Sequence, residues 1–240
     1  MTRRNPEAVA DTAVEQAKTG PILAHDIYRN NAEVIAYGCV PLGILRPDMR
    51  IRDTTYGKGN FWSLWMPDGG LWTPENRAGR LVGSDIVAEK SPVGQAVDGT
   101  DLRNETAVSY DAGVIDGPYQ LNGTPGGGGP ASSNEAYGVD IPAKWQDRHQ
   151  LIIDMMSAMF PLLDYGAPML VKMQDQVCSQ KLRMQTYIFA KHAIEELGME
   201  LTNRFQLEGY RTQPSDKIEG AQKTERSNFS VLHIYRKARR

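Results

Sequence analysis

The chain is poor in several things that would settle its class at once. Two cysteines, Cys39 and Cys178, stand far apart with no C-x-x-C pair. That excludes a disulfide framework and fits a reducing compartment. Four histidines, dispersed along the sequence, give no metal-ligand spacing, so no metal site is expected. A formal net charge of −2 supplies no global field to attract a polyanion, so any nucleic-acid contact needs a local basic patch. One basic run closes the sequence, at 235–240. No apolar run is long enough for a membrane span or the core of a leader, and a cytoplasmic protein is expected.

What remains is ordinary globular composition over 240 residues, enough for one α/β domain with a full core. Residues 6–18 read as a weak helix and 31–40 as a second short one, closed by Pro41 and Gly43. Strand candidates follow at 49–53, 80–85, 94–98 and 111–116. A glycine-rich, low-complexity stretch at 121–147 cannot build a core and reads as a loop beside the fourth strand. A helix at 145–163 carries Leu151, Ile152, Met155, Met159 and Leu162 on one broad face. A fifth strand at 169–172, a helix at 181–197 ended by Gly198, and strands at 199–207 and 229–235 complete the chain. This order predicts one sheet of seven mostly parallel strands, with an antiparallel C-terminal strand and helices on both faces. Residues 1–44 are expected as a helical extension and 45–240 as the main domain.

The chemistry-bearing residues fall where the strands end. Val114 and Ile115 favour a buried strand, which Gly117 and Pro118 cannot continue. Asp116 and Tyr119 are thereby delivered to a strand's C-terminal end, where open α/β sheets place their ligand sites. A carboxylate beside an aromatic ring can hold a planar amine by hydrogen bonding and stacking. Asp53-Thr-Thr-Tyr-Gly-Lys-Gly59 follows the first strand, and Gly57 and Gly59 let a ligand approach the backbone. The turn is neither a dinucleotide fingerprint, since Trp62 stands where the third glycine belongs, nor a phosphate loop, since Gly59 follows Lys58. Asp85 and Asp98 close the second and third strands. Asp85 can accept both hydroxyls of a ribose, and Asp98 an adenine amino group.

As a set, these residues resemble the S-adenosylmethionine-dependent methyltransferases, specifically the branch that methylates amino groups of nucleic acids. The first motif matches Asp53, Thr54, Gly57 and Gly59; the ribose acid matches Asp85, followed by Ile86; the next acid matches Asp98, with Asp101 a second possibility. The catalytic pattern, an acid or amide followed by two prolines and an aromatic, matches Asp116, Gly117, Pro118 and Tyr119, with Gly117 in place of the first proline. The likeness covers about residues 45–235 and extends to little-characterised DNA-methylase-like proteins, some phage-encoded, that carry a block like 172–179.

The resemblance implies a Rossmann-like fold, S-adenosylmethionine as cofactor, and direct methyl transfer to a base amine held by Asp116 and the Gly117 carbonyl. DNA adenine or cytosine N4 is the expected target, ahead of RNA or a small molecule; a cofactor-binding protein of weak activity is the other reading. Cys178 is read as a small buried residue. Lys172, Arg183 and Arg211 are the candidates for substrate phosphate. With no separate recognition domain in the core, a homodimer or a partner subunit is a candidate source of specificity.

Overall fold

The computed structural model describes residues 27–105, 108–118, 142, 144–178, 181–208 and 229–238. The expected helix at 6–18, Tyr119, Arg211 and nearly all of the glycine-rich stretch lie outside them.

Six strands form the main sheet. They are β1 (Ile51–Asp53), β2 (Leu81–Gly83), β3 (Ala112–Ile115), β4 (Pro168–Met173), β7 (Met199–Glu208) and β8 (Phe229–Lys237), in the order β2-β1-β3-β4-β8-β7. The neighbours from β2 to β4 are parallel, and β8 runs antiparallel to both β4 and β7. This is the Rossmann-like α/β sheet expected, with one strand fewer. The expected third strand at 94–98 is a bend followed by irregular backbone, with turns on either side. Gly94 sits at φ +78°, and the Asp98 side chain accepts from the Thr100 N–H and hydroxyl. Such local bonds compete with a ladder. Only Val97 reaches toward β2, donating to the Asp85 carbonyl.

A second correction concerns 181–197. Lys181–Arg183 is a strand, β6, paired antiparallel with β5 (Gln176–Cys178). The helix α3 therefore starts later, at Gln185–Lys191, and continues as a π-helical stretch, His192–Glu196, before Gly198 at φ +65° ends it.

Alternation along the strands splits the core into two layers. Ile51, Val114, Leu170, Leu232 and Ile234 face one side. There they meet α1, a single turn at Asn31–Glu33 that widens into a π-helix at Val34–Cys39, together with Phe61 and Trp62. Ile115, Met169, Val171, Val231 and Tyr235 face the other side, against α2 (Trp145–Met159) and α3. Ile152, Met155, Met156 and Met159 supply the buried face of α2 at helical spacing. Gly113 admits that helix: a Cβ there would meet Met159 Cγ at 2.8 Å. The segment before α1 is tied to the sheet edge, Tyr28 donating to the Gln206 carbonyl and Glu208 donating back to Tyr28.

Candidate active site

β1 and β3 lie side by side in parallel register, Asp53 opposite Val114. Their C-terminal ends therefore carry Asp53 and Asp116 to the same edge and, by period-two alternation, to the α1 side of the sheet. Asp53 is almost fully buried. Its Oδ1 accepts from the Thr55 N–H at 2.9 Å and the Thr55 hydroxyl at 3.2 Å, and its Oδ2 from Trp62 Nε1 at 2.8 Å. Thr55 then bridges the two acids, since its Oγ1 accepts from the Asp116 N–H at 2.7 Å. The first acid thus organises the turn from within.

Asp116 is more open, with 20% of its side chain exposed. Lys172 Nζ from β4 stands 3.5 Å from its Oδ1, and Asn31 Nδ2 from α1 donates to its Oδ2 at 3.2 Å. Gly117 is buried against α2, where a Cβ would come 3.1 Å from Ile152 Cγ1. A proline ring would crowd that contact further, which gives a packing reason for glycine here. Pro118 follows, partly exposed.

The glycine turn is built as its sequence demands. Gly57 and Gly59 have φ of +55° and +70°, a region that costs other residues about 1 kcal/mol or more. The Gly59 position also makes room for Tyr56, whose hydroxyl would lie 2.6 Å from a Cβ there. Asp85 locks the turn to the end of β2, its Oδ2 accepting from the Gly57 N–H at 3.0 Å and its Oδ1 from the Val87 N–H at 2.9 Å. Each oxygen keeps a lone pair. Ile86 beside it is exposed. Two buried hydroxyls at this edge, Thr54 Oγ1 and Ser84 Oγ, have no hydrogen-bond partner within the described structure. An open glycine turn, an acid with spare lone pairs and two unsatisfied hydroxyls fit a polar nucleoside ligand.

Asp98 is exposed and caps its own turn, but that turn reaches the same edge, with Gly99 packed against Thr54 and Met155. Arg52 holds the edge from the opposite face. Its guanidinium forks onto Glu105 at 2.7 and 2.8 Å and donates to the Asp53 and Val82 carbonyls. Tyr110 completes the group by donating to Glu105.

The structure therefore gathers Asp53, Thr54, Gly57, Gly59, Asp85 and Asp116 at one edge, with Asp98 at its margin. Lys172 is not at a surface where phosphate would meet it: it is 8% exposed and faces Asp116. Arg183, at the end of β6, stacks over the Trp145 ring at 3.9 Å. Thr55, Asn31 and Lys172 as partners of the acids were not visible in the sequence. Thr55 alone had a signal, its place inside the turn. A surface cavity of about 510 Å³, lined in part by Thr100, Asp101, Arg103, Asp154 and Ser157, includes none of Asp53, Asp85 and Asp116. There Asp101 and Arg103 pair with each other. Among the described residues, no cluster of His, Cys, Asp and Glu could hold a metal, and no helix is long and apolar enough to cross a membrane.

Burial raises the Asp53 carboxyl to about 6, against the Trp62 and Thr55 hydrogen bonds, with the nearby Asp116 adding to the rise. Burial also raises Asp116, opposed by Lys172 and Asn31. The folded state thus binds the Asp53 proton more tightly than the unfolded chain, where the reference value is 3.8. Stability from this group is complete below about pH 4 and is lost as pH rises through about 6. At ~1.4 kcal/mol per unit, the change is on the order of 3 kcal/mol. Asp53→Asn cannot titrate. The urea-unfolding free energy of wild type minus that of Asp53→Asn is expected to fall by about this amount between roughly pH 4 and pH 7. A difference that is flat in pH would contradict a buried, proton-binding Asp53.

No protein-family model matches the chain, and no curated protein matches it. Among solved structures it is similar to protein 1320 of Thermoplasma acidophilum, at 10% identity over 97% of this chain and 98% of that one, with a TM-score of 0.44. It is similar to TrmN from Thermus thermophilus at 10% identity and a TM-score of 0.41, over 98% of this chain and 50% of that one. The chain thus spans half the length of TrmN. An O-methyltransferase family protein from Burkholderia thailandensis is similar at 11% identity, over 97% of this chain and 70% of that one, with a TM-score of 0.39.

Proposed function

We propose that this chain is an S-adenosylmethionine-dependent N-methyltransferase acting on an exocyclic amino group of a nucleic-acid base, with DNA adenine or cytosine N4 as the first candidates. One observation carries the reading. Asp116, a partly exposed carboxylate at the end of β3, is joined through Thr55 to the glycine turn that Asp85 closes. Residues suited to hold an amine and residues suited to hold a nucleoside therefore lie along one edge of one sheet.

S-adenosylmethionine, when bound, supplies a methyl group on a positively charged sulfur. Asp85 would hold its ribose, and Thr54, Gly57, Gly59, Ile86 and Asp98 would supply the rest of its site. Asp116 and the Gly117 carbonyl would accept from the two hydrogens of the target amine and so direct its lone pair, with Pro118 and Tyr119 completing the motif. Catalysis is then chiefly positioning, and the Asp116 charge offsets the positive charge that develops on nitrogen. The surplus proton on nitrogen leaves to Asp116 or to water. A base in a duplex must leave its stack to reach this edge. Arg183 and Arg211 are candidates for phosphate contact, and a second copy or a partner for sequence selection.

One observation favours a second reading, a cofactor-binding protein of weak activity: Asp116 is already engaged, its buried Oδ1 facing the Lys172 ammonium and its Oδ2 accepting from Asn31. Tritium transfer from labelled cofactor to DNA, RNA and small amines separates the readings. Label in DNA, located on adenine N6 or cytosine N4 by nucleoside mass spectrometry, supports the proposal. Label in RNA alone moves the target, and cofactor binding without transfer to any acceptor leaves the second reading.

A further inference from the structure

We propose that Lys172 is a positioning residue for Asp116: its ammonium keeps that side chain a carboxylate, able to accept from an amine. Lys172 lies on β4, between β3 and β8, where all six strand residues are buried. Its neighbours on the same face, Leu170 and Leu232, are core residues. An aliphatic side chain would pack there without a charge to satisfy, and a buried ammonium is costly unless paired. Lys172 Nζ stands 3.5 Å from Asp116 Oδ1, and the Phe61 ring lies 5.9 Å from the same ammonium.

The groups facing Asp116 make the role specific. From β1 comes Asp53, a second buried acid joined to it through Thr55. From α1 comes Asn31, a neutral donor to Oδ2. Lys172 is the cation among these neighbours. Two adjacent buried carboxyls tend to share a proton. Without Lys172 only the neutral Asn31 donor at Asp116 opposes that proton. A protonated Asp116 presents a donor where the amine requires an acceptor. The consequence for the amine rests on the methyl-transfer reading; the pairing and its effect on the carboxyl do not.

The test is a carbon-13 NMR titration of the aspartate carboxyls in full-length wild type, Lys172→Met, Lys172→Gln and Lys172→Arg, with the Asp116 signal assigned from Asp116→Asn. Removing the charge is expected to move the Asp116 midpoint up by roughly one unit or more, and Lys172→Arg to return it most of the way. The acid limb of the transfer rate should move with it, so that Lys172→Met recovers activity as pH rises. An Asp116 midpoint unmoved in a folded Met or Gln variant overturns the proposal. Should neither variant fold, nitrogen-15 titration of the lysines decides. The Lys172 midpoint must fall in Asp116→Asn, and an unchanged value overturns the proposal equally. If wild type transfers methyl to no acceptor while the Asp116 midpoint still answers to Lys172, the methyl-transfer reading fails and the pairing stands.

Discussion

Asp116→Ala is expected to lower methyl transfer by about a thousandfold or more while leaving cofactor affinity within a few fold. The size follows from what the side chain does. In the proposed reaction it would be the anionic acceptor for the target amine and a negative charge beside the nitrogen as that atom becomes positive. Removing one preorganised electrostatic partner of a transition state typically costs about 10²–10³ in rate, and here orientation of the lone pair is lost with it. Asp85 and the glycine turn, which would hold the cofactor, are bonded to Asp116 only at its backbone N–H, through the Thr55 hydroxyl, and not at its carboxyl. Alanine keeps that N–H. It also strips Lys172 of its carboxylate, so a loss of stability is expected alongside. Asp116→Asn separates the two effects: it retains an oxygen acceptor but not the charge, and its rate should fall between wild type and alanine. Initial rates of tritium transfer at saturating cofactor check the series. Equal rates in all three proteins would remove Asp116 from the chemistry.

The second large effect is on folding. Arg52→Met is expected to destabilise the chain by about 3 kcal/mol, toward the lower end of the range for breaking a buried ion pair. The arginine side chain is 1% exposed, and Glu105, its bidentate partner, 23%. Methionine fills similar volume but leaves Glu105 without its cation and takes the guanidinium donor away from the Asp53 and Val82 carbonyls. Partial access of water to Glu105 moderates the loss. For a chain of this size the melting temperature should drop on the order of 10 °C. Arg52→Lys keeps the charge without the fork and should lose less. Since Arg52 ties the ends of β1 and β2, cofactor binding should weaken in the methionine variant even where it is folded. A melting temperature unchanged in Arg52→Met would show that the network is not structural.

The strand ends were legible because each is punctuated. Val114 and Ile115 stop at Gly117 and Pro118, and β1 runs into Gly57 and Gly59, so the acids Asp53 and Asp116 could be placed at one edge from sequence. The false third strand shows where that logic fails. Residues 94–98 carry Ala96 and Val97, but Gly94 at positive φ and the Asp98–Thr100 turn bend the backbone, and the Val97 N–H bond to Asp85 does not extend into a ladder. Lys181–Arg183 misled in the opposite sense: its residues suit a helix, and its pairing with Gln176–Cys178 is a contact that propensity does not encode. Lys172 reads from sequence as a candidate for phosphate because nothing local marks a lysine as buried. Only the register of β4 against β3 brings it to Asp116. Asn31 is 85 residues from its partner and carried no signal at all.

The central claim, that this sheet edge binds a sulfonium nucleoside beside an amine-holding acid, is tested most directly by calorimetric titration of the intact protein with S-adenosylhomocysteine, in wild type and in Asp85→Ala. The account predicts saturable one-site binding to wild type and a loss of affinity of tenfold or more in Asp85→Ala, which removes the ribose acceptor and the lock on the Gly57 turn. No heat of binding to folded wild type, or equal affinity in the two proteins, would contradict it.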